Sequence, residues 1–344
     1  LNIENYSELH SWSILNISDF WKAIWGFMAI EFSSNYKNIV DDVNKMPGAK
    51  WFEGARFNFA ENLLRVRSDK PAIHFQSENN SNKTISYKKL YSEVEKLASS
   101  LRKMGVKKGD RVVGYIPNIP EAIIGMLATT SIGAIWSSCS PDFGIQGVLD
   151  RFTQIKPKVI FAADGYFYNG KTFNSIDKLK AIIDKLPTIE KTVIVQFVSS
   201  STNFKSIDNG ILWQSFLDSN PQSLFFEQLP FDHPIYIMYS SGTTGKPKSI
   251  VHGAGGTLIQ HLKELRLHSN ISADDTVFYF TTCGWMMWNW LISNLAIGAT
   301  IVLYDGSPFQ PNKNSMWNMI DNYKITHFGT SPKFLESCIN TKVS

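Results

Sequence analysis

Apolar and polar positions in this chain follow two alternating periods. Within residues 88–104, apolar side chains recur every three or four positions, the pattern stops at Gly105, and a short apolar run follows at 111–116. Recurrence at that interval predicts a helix with one buried face, whereas an unbroken apolar run of this length is typical of a buried strand. We therefore expect a helix followed by a strand.

The same succession of helical and extended patterns continues along the chain. It predicts an α/β fold in which crossover helices cover both faces of βα-alternating, mostly parallel sheets. Residues 276–304 add a strand, a helix-length middle and a second strand. The other expected elements are helices over 121–132, 145–155, 177–185, 257–267 and 314–322, strands over 134–138, 159–163, 192–198, 235–239 and 325–328, and a helix that begins after Pro332.

The chain divides into three predicted parts. The N-terminal region is rich in aromatic residues, and the near-helical spacing of Phe20, Ile24 and Phe27 predicts a helical cap. The polar stretch 199–210 predicts an exposed loop or a seam between two βα halves. The predicted domains are an aromatic-rich helical cap (1–68), a first βα half (69–232) and a second, truncated βα half (233–344).

Composition and charge exclude several classes of protein. The 344 residues contain 34 Lys and Arg against 30 Asp and Glu, a net charge of +4, so there is no strong positive field for nucleic acid or an anionic membrane. Charged residues make up 19% and hydrophobic residues 43%, which excludes a disordered chain. Three widely spaced cysteines without a CxxC pair support neither a disulfide framework nor a zinc site.

Membrane and secretory segments are not expected either. The uncharged stretch 122–141 carries six hydroxyl side chains, and the longer stretch 276–304 has strand-like ends around a middle that contains Asn289 and Asn294. Both patterns favour buried elements over membrane spans. No signal-like segment follows Leu1, and the spacing of the cysteines does not indicate disulfide bonds. We therefore expect a cytoplasmic protein.

The most informative segment for chemistry is YSSGTTGKPK, residues 239–248, directly after the apolar run IYIM. Its glycines, four hydroxyl residues and two lysines bring backbone N–H groups, hydroxyls and positive charge together where a strand ends, as triphosphate binding requires. A Walker loop needs Gly at position 240 and Ser or Thr at position 247, where this chain has Ser240 and Pro247. The alternative is a flexible Ser/Gly turn that binds no ligand. The two lysines on either side of a proline argue against it, because such a turn does not need them.

This loop resembles the phosphate loop of the adenylate-forming superfamily, which includes acyl-CoA synthetases, peptide-synthetase adenylation domains and luciferases. The similarity extends over essentially the whole chain, implies the N-terminal domain of that fold, and is strongest to the acetoacetate-activating acyl-CoA synthetases. The segments that carry it are WFEGARFNFAENLL (51–64), IWSSCSPDFG (135–144), IVHGAGGTLIQHLKEL (250–265) and FTTCGWMMWNWLISNLAIGATIVLYDGSP (280–308).

The resemblance implies an AMP-forming acid–thiol ligase that uses ATP, Mg²⁺ and coenzyme A (CoA). Acetoacetate and ATP would give acetoacetyl-AMP and pyrophosphate, and the CoA thiol would then displace AMP. Preorganised donors suit this chemistry because charge builds on the leaving pyrophosphate. Thr244 and Lys248 are the implied catalytic residues. For Lys246 and Lys248 alike, the alternative is an exposed lysine that only interacts with solvent. The implied nucleotide-binding residues are Ser240, Ser241, Gly242, Thr243, Thr244, Gly245 and Lys246.

An acyl pocket is also implied. Trp285, Met286 and Met287 occupy positions that in acetyl-CoA synthetases line the acyl pocket and the mouth of the CoA tunnel. Met287 replaces a Thr of those enzymes, so the CoA contact of that Thr does not carry over and a reshaped acyl pocket is expected. Ordinary core packing is the alternative for this cluster.

Two further segments resemble CoA-binding regions. Tyr168 and Lys171 occupy positions where acetyl-CoA synthetases place two arginines against the CoA nucleotide, so we expect a phosphate contact from Lys171 and stacking on adenine by Tyr168. Thr330 and Ser331 match a loop beside the pantetheine channel, with a helix N-cap as the equal alternative. His252 either packs near the nucleotide or acyl site or has a structural role.

Several parts of the superfamily are not found in these residues: the Glu that holds Mg²⁺, the Asp that grips the ribose, the hinge and the adenylating Lys. No metal ligand is therefore predicted. We expect an N-terminal fragment, with a fold incomplete at its C-terminus, that does not complete the reaction alone. Acetate, propionate and butyrate are alternative substrates of such a ligase. A different class of function, a non-catalytic nucleotide- or CoA-binding module, is the other alternative. The oligomeric state is left open.

Overall fold

The computed structural model describes residues 3–240 and 245–341, and aromatic packing holds its N-terminal region together. The Trp25 ring stacks on Phe52 with centroids 4.8 Å apart, and the Phe231 ring lies 5.0 Å from Phe52. The expected cap thus contains helices and short strands, and its status as a separate domain stays a prediction. Its elements are α1 (Tyr6–Leu15), α2 (Ile17–Phe27), β1 (Asn38–Val40), β2 (Trp51–Glu53), β3 (Arg56–Phe57) and α3 (Phe59–Leu63).

Helices and strands alternate from residue 71 onward, as expected. The predicted helix 88–104 is α4, which begins where the Ser86 hydroxyl accepts from the Lys89 N–H at 3.2 Å and ends before Gly105, whose φ is +85°. The elements up to residue 230 are β4 (Pro71–Ser77), β5 (Asn82–Ser86), α4 (Tyr87–Lys103), β6 (Arg111–Tyr115), α5 (Pro120–Ser131), β7 (Ile135–Cys139), α6 (Ile145–Ile155), β8 (Val159–Ala163), β9 (Gly165–Tyr168), β10 (Lys171–Asn174), α7 (Ile176–Ile183), β11 (Lys191–Val195), β12 (Gly210–Leu212), α8 (Trp213–Phe216) and β13 (Leu229–Pro230).

The strand, helix and strand expected within 276–304 are confirmed as β16, α10 and β17. The predicted helix 257–267 begins three residues earlier, at Ala254, and its last turn, Glu264–His268, is π-helical. The elements after residue 233 are β14 (Pro234–Tyr239), β15 (Ser249–Gly253), α9 (Ala254–Lys263), β16 (Thr276–Tyr279), α10 (Met286–Ser293), β17 (Thr300–Asp305), α11 (Ser315–Tyr323), β18 (His327–Gly329) and α12 (Pro332–Asn340).

Most of the described strands form two mostly parallel sheets, which confirms the predicted fold class, and the short strands pair separately as β1–β2, β3–β13 and β9–β10. One sheet has the order β12-β11-β8-β6-β7-β14-β15, and the other has the order β18-β16-β17-β4-β5. Within them, only the edge pairs β14–β15 and β4–β5 run antiparallel. Both sheets combine strands from either side of residue 232, so that boundary does not separate the sheets, and the predicted domain boundaries stay a prediction.

Helices α4 and α5 pack between the two sheets. α4 contacts β4 and β5, α5 contacts β6 and β7, and the two helices contact each other. Residues 122–131 of α5 are all buried, and the hydroxyls of Thr129 and Thr130 donate to carbonyls of the same helix at 2.7 and 2.9 Å. A helix that is apolar all round suits this central position. In the described part of the chain, no helix has the length and apolar character needed to cross a membrane.

Outer helices cover the other faces of the sheets. α6 and α7 pack on the seven-stranded sheet, and α11 and α12 pack on the five-stranded sheet. Neighbouring residues of one strand point to opposite faces of the sheet. In β6, Val112 belongs to the core between the two sheets, and Val113 belongs to the core under α6 and α7. This two-sided burial explains why the strands appear as unbroken apolar runs in the sequence.

The β9–β10 hairpin and strand β15 are not among the elements expected from the sequence. The hairpin closes through Asn169 and Gly170, both with positive φ, and pairs Tyr168 with Lys171. An Asn-Gly pair between aromatic residues is a strong signal for a two-residue hairpin, and it was available in the sequence. β15 is a β-branched run beside a Gly-rich loop and was not assigned a structure.

Two adjacent glycines of α9 should respond oppositely to alanine. A Cβ at Gly255 would lie 2.1 Å from the Phe231 ring, whereas a Cβ at Gly256 would have no neighbour within 4 Å. We expect Gly255→Ala to destabilise the fold by about 1 to 3 kcal/mol through overpacking. We expect Gly256→Ala to be neutral or to stabilise by up to about 1 kcal/mol, because alanine is the better helix former. Denaturant unfolding of both variants measures this, and equal effects would contradict the packing at Gly255.

Candidate functional site

A cavity of about 400 Å³ opens where strands of both sheets end. It lies at the carboxyl ends of β6, β7 and β8 in one sheet and of β16 and β17 in the other. Loops after parallel strands are the usual ligand sites of α/β folds. We name this the carboxyl-end cavity, and its lining residues are Asn118, Ser140, Pro141, Asp142, Tyr166, Phe167, Tyr168, Phe173, Phe280, Thr281, Thr282, Tyr304, Asp305 and Gly306.

Asn118 connects the two sheets at this cavity. Its side-chain amide donates to the carbonyls of Thr281 and Tyr304 at 3.3 and 3.4 Å, and its side-chain oxygen accepts from the Trp288 indole at 2.9 Å. The residue is 3% exposed, so a lost partner would leave a buried polar group unpaired. Sequence reasoning missed Asn118, because an Asn shortly before the Pro that starts a helix is usually only a helix-start signal.

The phosphate loop leaves the sheet at the carboxyl end of β14 and returns through β15. The Ser240 N–H donates to the Lys248 carbonyl at 3.0 Å, which closes the loop at its base. Because β14 pairs in parallel with β7, the loop emerges at the same edge of the sheet as the carboxyl-end cavity. Four predicted nucleotide ligands lie outside the described residues: Ser241, Gly242, Thr243 and Thr244.

Gln154 of α6 holds the returning arm of the loop. Its Nε2 donates to the Pro247 carbonyl at 2.8 Å, and its Oε1 accepts from the Ser249 hydroxyl at 3.0 Å. These two contacts flank Lys248 and fix its backbone. Sequence reasoning missed Gln154 because it precedes Pro247 by 93 residues and lies on the polar side of an amphipathic helix.

The two lysines of the loop are free to meet an anion. Lys246 and Lys248 are exposed, as is Gly245. Within the described residues, neither ammonium group pairs with a carboxylate. Their positive charge is therefore available to a polyanion above β14. Their phosphate contacts stay predictions.

The predicted acyl-pocket residues form the first turn of α10. Trp285 precedes the helix and is 65% exposed, whereas Met286 and Met287 are half-buried. All three differ from Trp288, which is fully buried core. None of the three lines the carboxyl-end cavity, which stops at Thr282. Their acyl-pocket role stays a prediction.

Helix α10 contacts the strand that carries the phosphate loop. The Asn289 amide of α10 donates to the Met238 sulfur at 3.2 Å, two residues before Ser240. The predicted acyl residues and the predicted phosphate loop therefore lie on neighbouring elements. An acyl adenylate requires that arrangement, because its carboxyl group is bonded to the α-phosphate.

The predicted CoA-binding residues lie on two elements. Tyr168 lines the carboxyl-end cavity, and Lys171 opposite it in the β9–β10 hairpin is exposed. The Ser331 hydroxyl accepts from the Phe334 N–H at 3.2 Å, so this residue is the N-cap of α12. The Thr330 hydroxyl is buried and has no hydrogen-bond partner among the described residues. Ligand contacts of Thr330 and Lys171 stay predictions.

His252 packs into a half-buried polar cluster. Its ring lies 5.0 Å from the Tyr236 ring, and burial lowers its pKa. Burial, with His252 nearby, lowers the pKa of His261 to about 4, and this histidine shares a hydrogen bond of 2.7 Å with the Ser293 hydroxyl. The ring contacts of His252 support a structural role.

Within residues 3–240 and 245–341, no group of three His, Cys, Asp or Glu side chains is arranged to hold a metal ion. The exposed ammonium groups of Lys246 and Lys248 suit an anion such as a phosphate rather than a metal cation.

Asp305 is the most perturbed carboxyl at the cavity. It is 9% exposed, and its Oδ2 has no hydrogen-bond partner among the described residues. Burial raises its pKa to about 7, and the negative charges of Glu78 and Asp142 add to this, whereas the Phe167 N–H opposes it. Near neutral pH the group therefore exists in both protonation states.

Asp305 should make stability depend on pH. Because its pKa is higher in the folded than in the unfolded protein, its stabilising effect is complete below about pH 4 and is lost as the pH rises to about 7. Asp305→Asn removes this titration, so its melting temperature relative to the parent should rise by about 2 °C or more between pH 5 and pH 8. Differential scanning fluorimetry measures it, with the exposed Asp274→Asn as control, and parallel curves for Asp305→Asn and the parent would contradict it.

Comparison with known proteins agrees with these features. The family model described as AMP-binding enzyme matches residues 59–344, and that of the acetyl-coenzyme A synthetase N-terminus matches residues 6–63. The chain is 49% identical over 346 residues to acetoacetyl-CoA synthetase of Danio rerio and 46% identical over 335 residues to that of Rhizobium meliloti (strain 1021). Each match covers 97% of this chain and 51% of the relative.

A solved structure shares the fold. Acetoacetyl-CoA synthetase from Streptomyces lividans superposes with a TM-score of 0.95 at 41% identity, over 100% of this chain and 53% of that one. The chain spans about half the length of the relatives it matches. The model match over residues 59–344 and the phosphate loop at the carboxyl end of β14 lead to one conclusion: this chain belongs to the AMP-binding enzyme family.

Proposed function

We propose that this chain supplies the phosphate-binding part and portions of the acyl and CoA walls of an AMP-forming acetoacetate–CoA ligase. The observation that carries the proposal is a loop at the carboxyl end of β14 whose two exposed lysines pair with no carboxylate among the described residues, in a chain about half as long as the acetoacetyl-CoA synthetases it resembles. ATP, Mg²⁺ and CoA are the proposed reactants and cofactors.

The first half-reaction joins acetoacetate to AMP. An acetoacetate carboxylate oxygen bonds to the α-phosphorus of ATP, and the bond from that phosphorus to the bridging oxygen of pyrophosphate breaks. Charge builds on the departing pyrophosphate. Lys246 and Lys248 are the proposed source of positive charge that stabilises it, and their exposure at the loop after β14 supports this role.

The second half-reaction transfers the acyl group. The CoA sulfur, after losing its proton, attacks the acyl carbonyl carbon, and the bond to the AMP oxygen breaks. The carboxyl-end cavity suits the uncharged arm of CoA, because most of its lining residues are aromatic, hydroxyl-bearing or acidic and no described Lys or Arg lines it. Lys171 on the exposed strand of the β9–β10 hairpin is left for a CoA phosphate.

The deciding experiment uses the full-length protein. ATP–pyrophosphate exchange with acetoacetate, acetate, propionate and butyrate measures adenylation, and acyl-CoA formation measures the complete reaction. Malonamate belongs in the panel, because the chain is also 40% identical to a malonamoyl-CoA synthetase of Penicillium aethiopicum. The highest kcat/KM is expected for acetoacetate. Nucleotide binding without exchange for any acid would favour a non-catalytic module instead.

Lys248 should matter for rate rather than for folding. In the full-length protein, Lys248→Ala should slow ATP–pyrophosphate exchange by about 10²- to 10³-fold, since it removes a charge directed at the leaving group. Its melting temperature should stay close to that of the parent, because exposed loop substitutions cost about 0.5 kcal/mol or less. Lys205→Ala, at another exposed loop lysine, is the matched control. Equal exchange rates in the two variants would refute the phosphate assignment.

Met287 should influence the choice of acid. Met287→Ala enlarges the space at the first turn of α10, so the ratio of kcat/KM for acetoacetate to that for butyrate should change by about tenfold. The control is Met46→Ala, whose side chain is 95% exposed. If stability falls and the ratio stays constant, Met287 belongs to the ordinary core.

A further inference from the structure

The tip of the β9–β10 hairpin is held by a carboxylate from a distant part of the chain. Glu78, directly after β4, accepts from the Asn169 N–H at 3.0 Å through Oε2 and from the Gly170 N–H at 2.8 Å through Oε1. Glu78 is 6% exposed. Hydrogen bonds to a carboxylate are stronger than neutral ones, so these two contacts anchor the hairpin tip firmly.

The same carboxylate also binds the segment that follows β17. Glu78 Oε2 accepts from the Ser307 N–H at 2.7 Å, and the Glu78 N–H donates to the Asp305 carbonyl at 2.9 Å. One side chain thus joins the hairpin tip to the β17 loop, and the strands of the hairpin and the end of β17 both contribute residues to the lining of the carboxyl-end cavity.

The backbone beside Glu78 is shaped to admit it. Gly306 has a φ of +131°, and a Cβ there would lie 2.6 Å from the Glu78 Cβ and 2.7 Å from its Oε2. A side chain at position 306 would displace the carboxylate. Only glycine allows both this conformation and this approach.

A second buried carboxylate holds the base of the hairpin. Asp164, directly before β9, is 1% exposed and accepts from the N–H groups of Phe197 and Val198 at 2.8 and 2.9 Å. The hairpin is therefore fixed at both ends. It is held by carboxylates and backbone amides rather than by apolar packing alone.

We propose that Glu78 is a positioning residue for the CoA-dependent step, because it fixes the hairpin wall of the carboxyl-end cavity against the end of β17. The inference rests on the proposed function. Glu78 acts on the substrate only through the hairpin, which carries Tyr168 and Lys171. Its loss lets the hairpin tip move, so CoA binding suffers while adenylation at the phosphate loop continues.

The test uses Glu78→Gln in the full-length protein. A glutamine amide offers one acceptor oxygen and two donors, so at least one of the three backbone N–H groups faces a donor. The expected result is a rise of about tenfold or more in KM for CoA, with ATP–pyrophosphate exchange within about twofold of the parent. Hydrogen exchange at the amides of Asn169, Gly170 and Ser307 should become faster.

A second variant disturbs Glu78 without removing it. Gly306→Ala places a methyl group against the carboxylate and should also raise KM for CoA and loosen the same amides. Glu53→Gln, at an exposed glutamate of β2, is the matched control and should change neither quantity.

The outcomes separate this inference from the proposed function. An unchanged KM for CoA in Glu78→Gln, or a parallel fall in exchange and thioester formation, overturns the positioning role. A parent protein without exchange activity for any acid refutes the proposed function. The hydrogen-exchange measurement then decides the role of Glu78, and unchanged protection of the three amides overturns it.

Discussion

The site depends on the burial of residues 122–131 of helix α5 between two sheets. A helix can occupy that position only if it has no polar group that needs water, and its threonines meet this condition by bonding to carbonyls of their own helix. The chain enters α5 beside Asn118, which connects β16 and β17 to α10. The carboxyl-end cavity exists because both sheets end on the same side of this layer.

Charge is divided between two regions of the site. The exposed lysines belong to the phosphate loop and the outer strand of the hairpin, whereas the carboxyl-end cavity is lined by aromatic, hydroxyl and acidic groups. Backbone amides compensate the buried carboxylates Glu78 and Asp164, but Asp305 keeps one oxygen without a partner among the described residues. This division suits a substrate such as CoA, which has charged phosphates at one end and an uncharged arm at the other.

Membership of the AMP-binding enzyme family does not by itself fix the choice of acid. The relatives include acetoacetyl-CoA and malonamoyl-CoA synthetases, at 49% and 40% identity, so the same scaffold serves different acyl groups. Selectivity must therefore come from side chains near the acyl group. The first turn of α10 keeps its predicted role in the acyl pocket, and this helix contacts the strand that leads to the predicted phosphate loop.

The sequence by itself determined the βα alternation and the parallel sheets, because buried strands and amphipathic helices each have a local pattern. It also predicted the phosphate loop from its glycines, hydroxyls and lysines. Only the tertiary structure showed that β4 pairs with β17, that Gln154 holds the loop, and that Glu78 reaches the tip of the hairpin. These pairings join residues far apart in the chain. No local pattern specifies them, because their free energy comes from contacts that form only when the sheets are assembled.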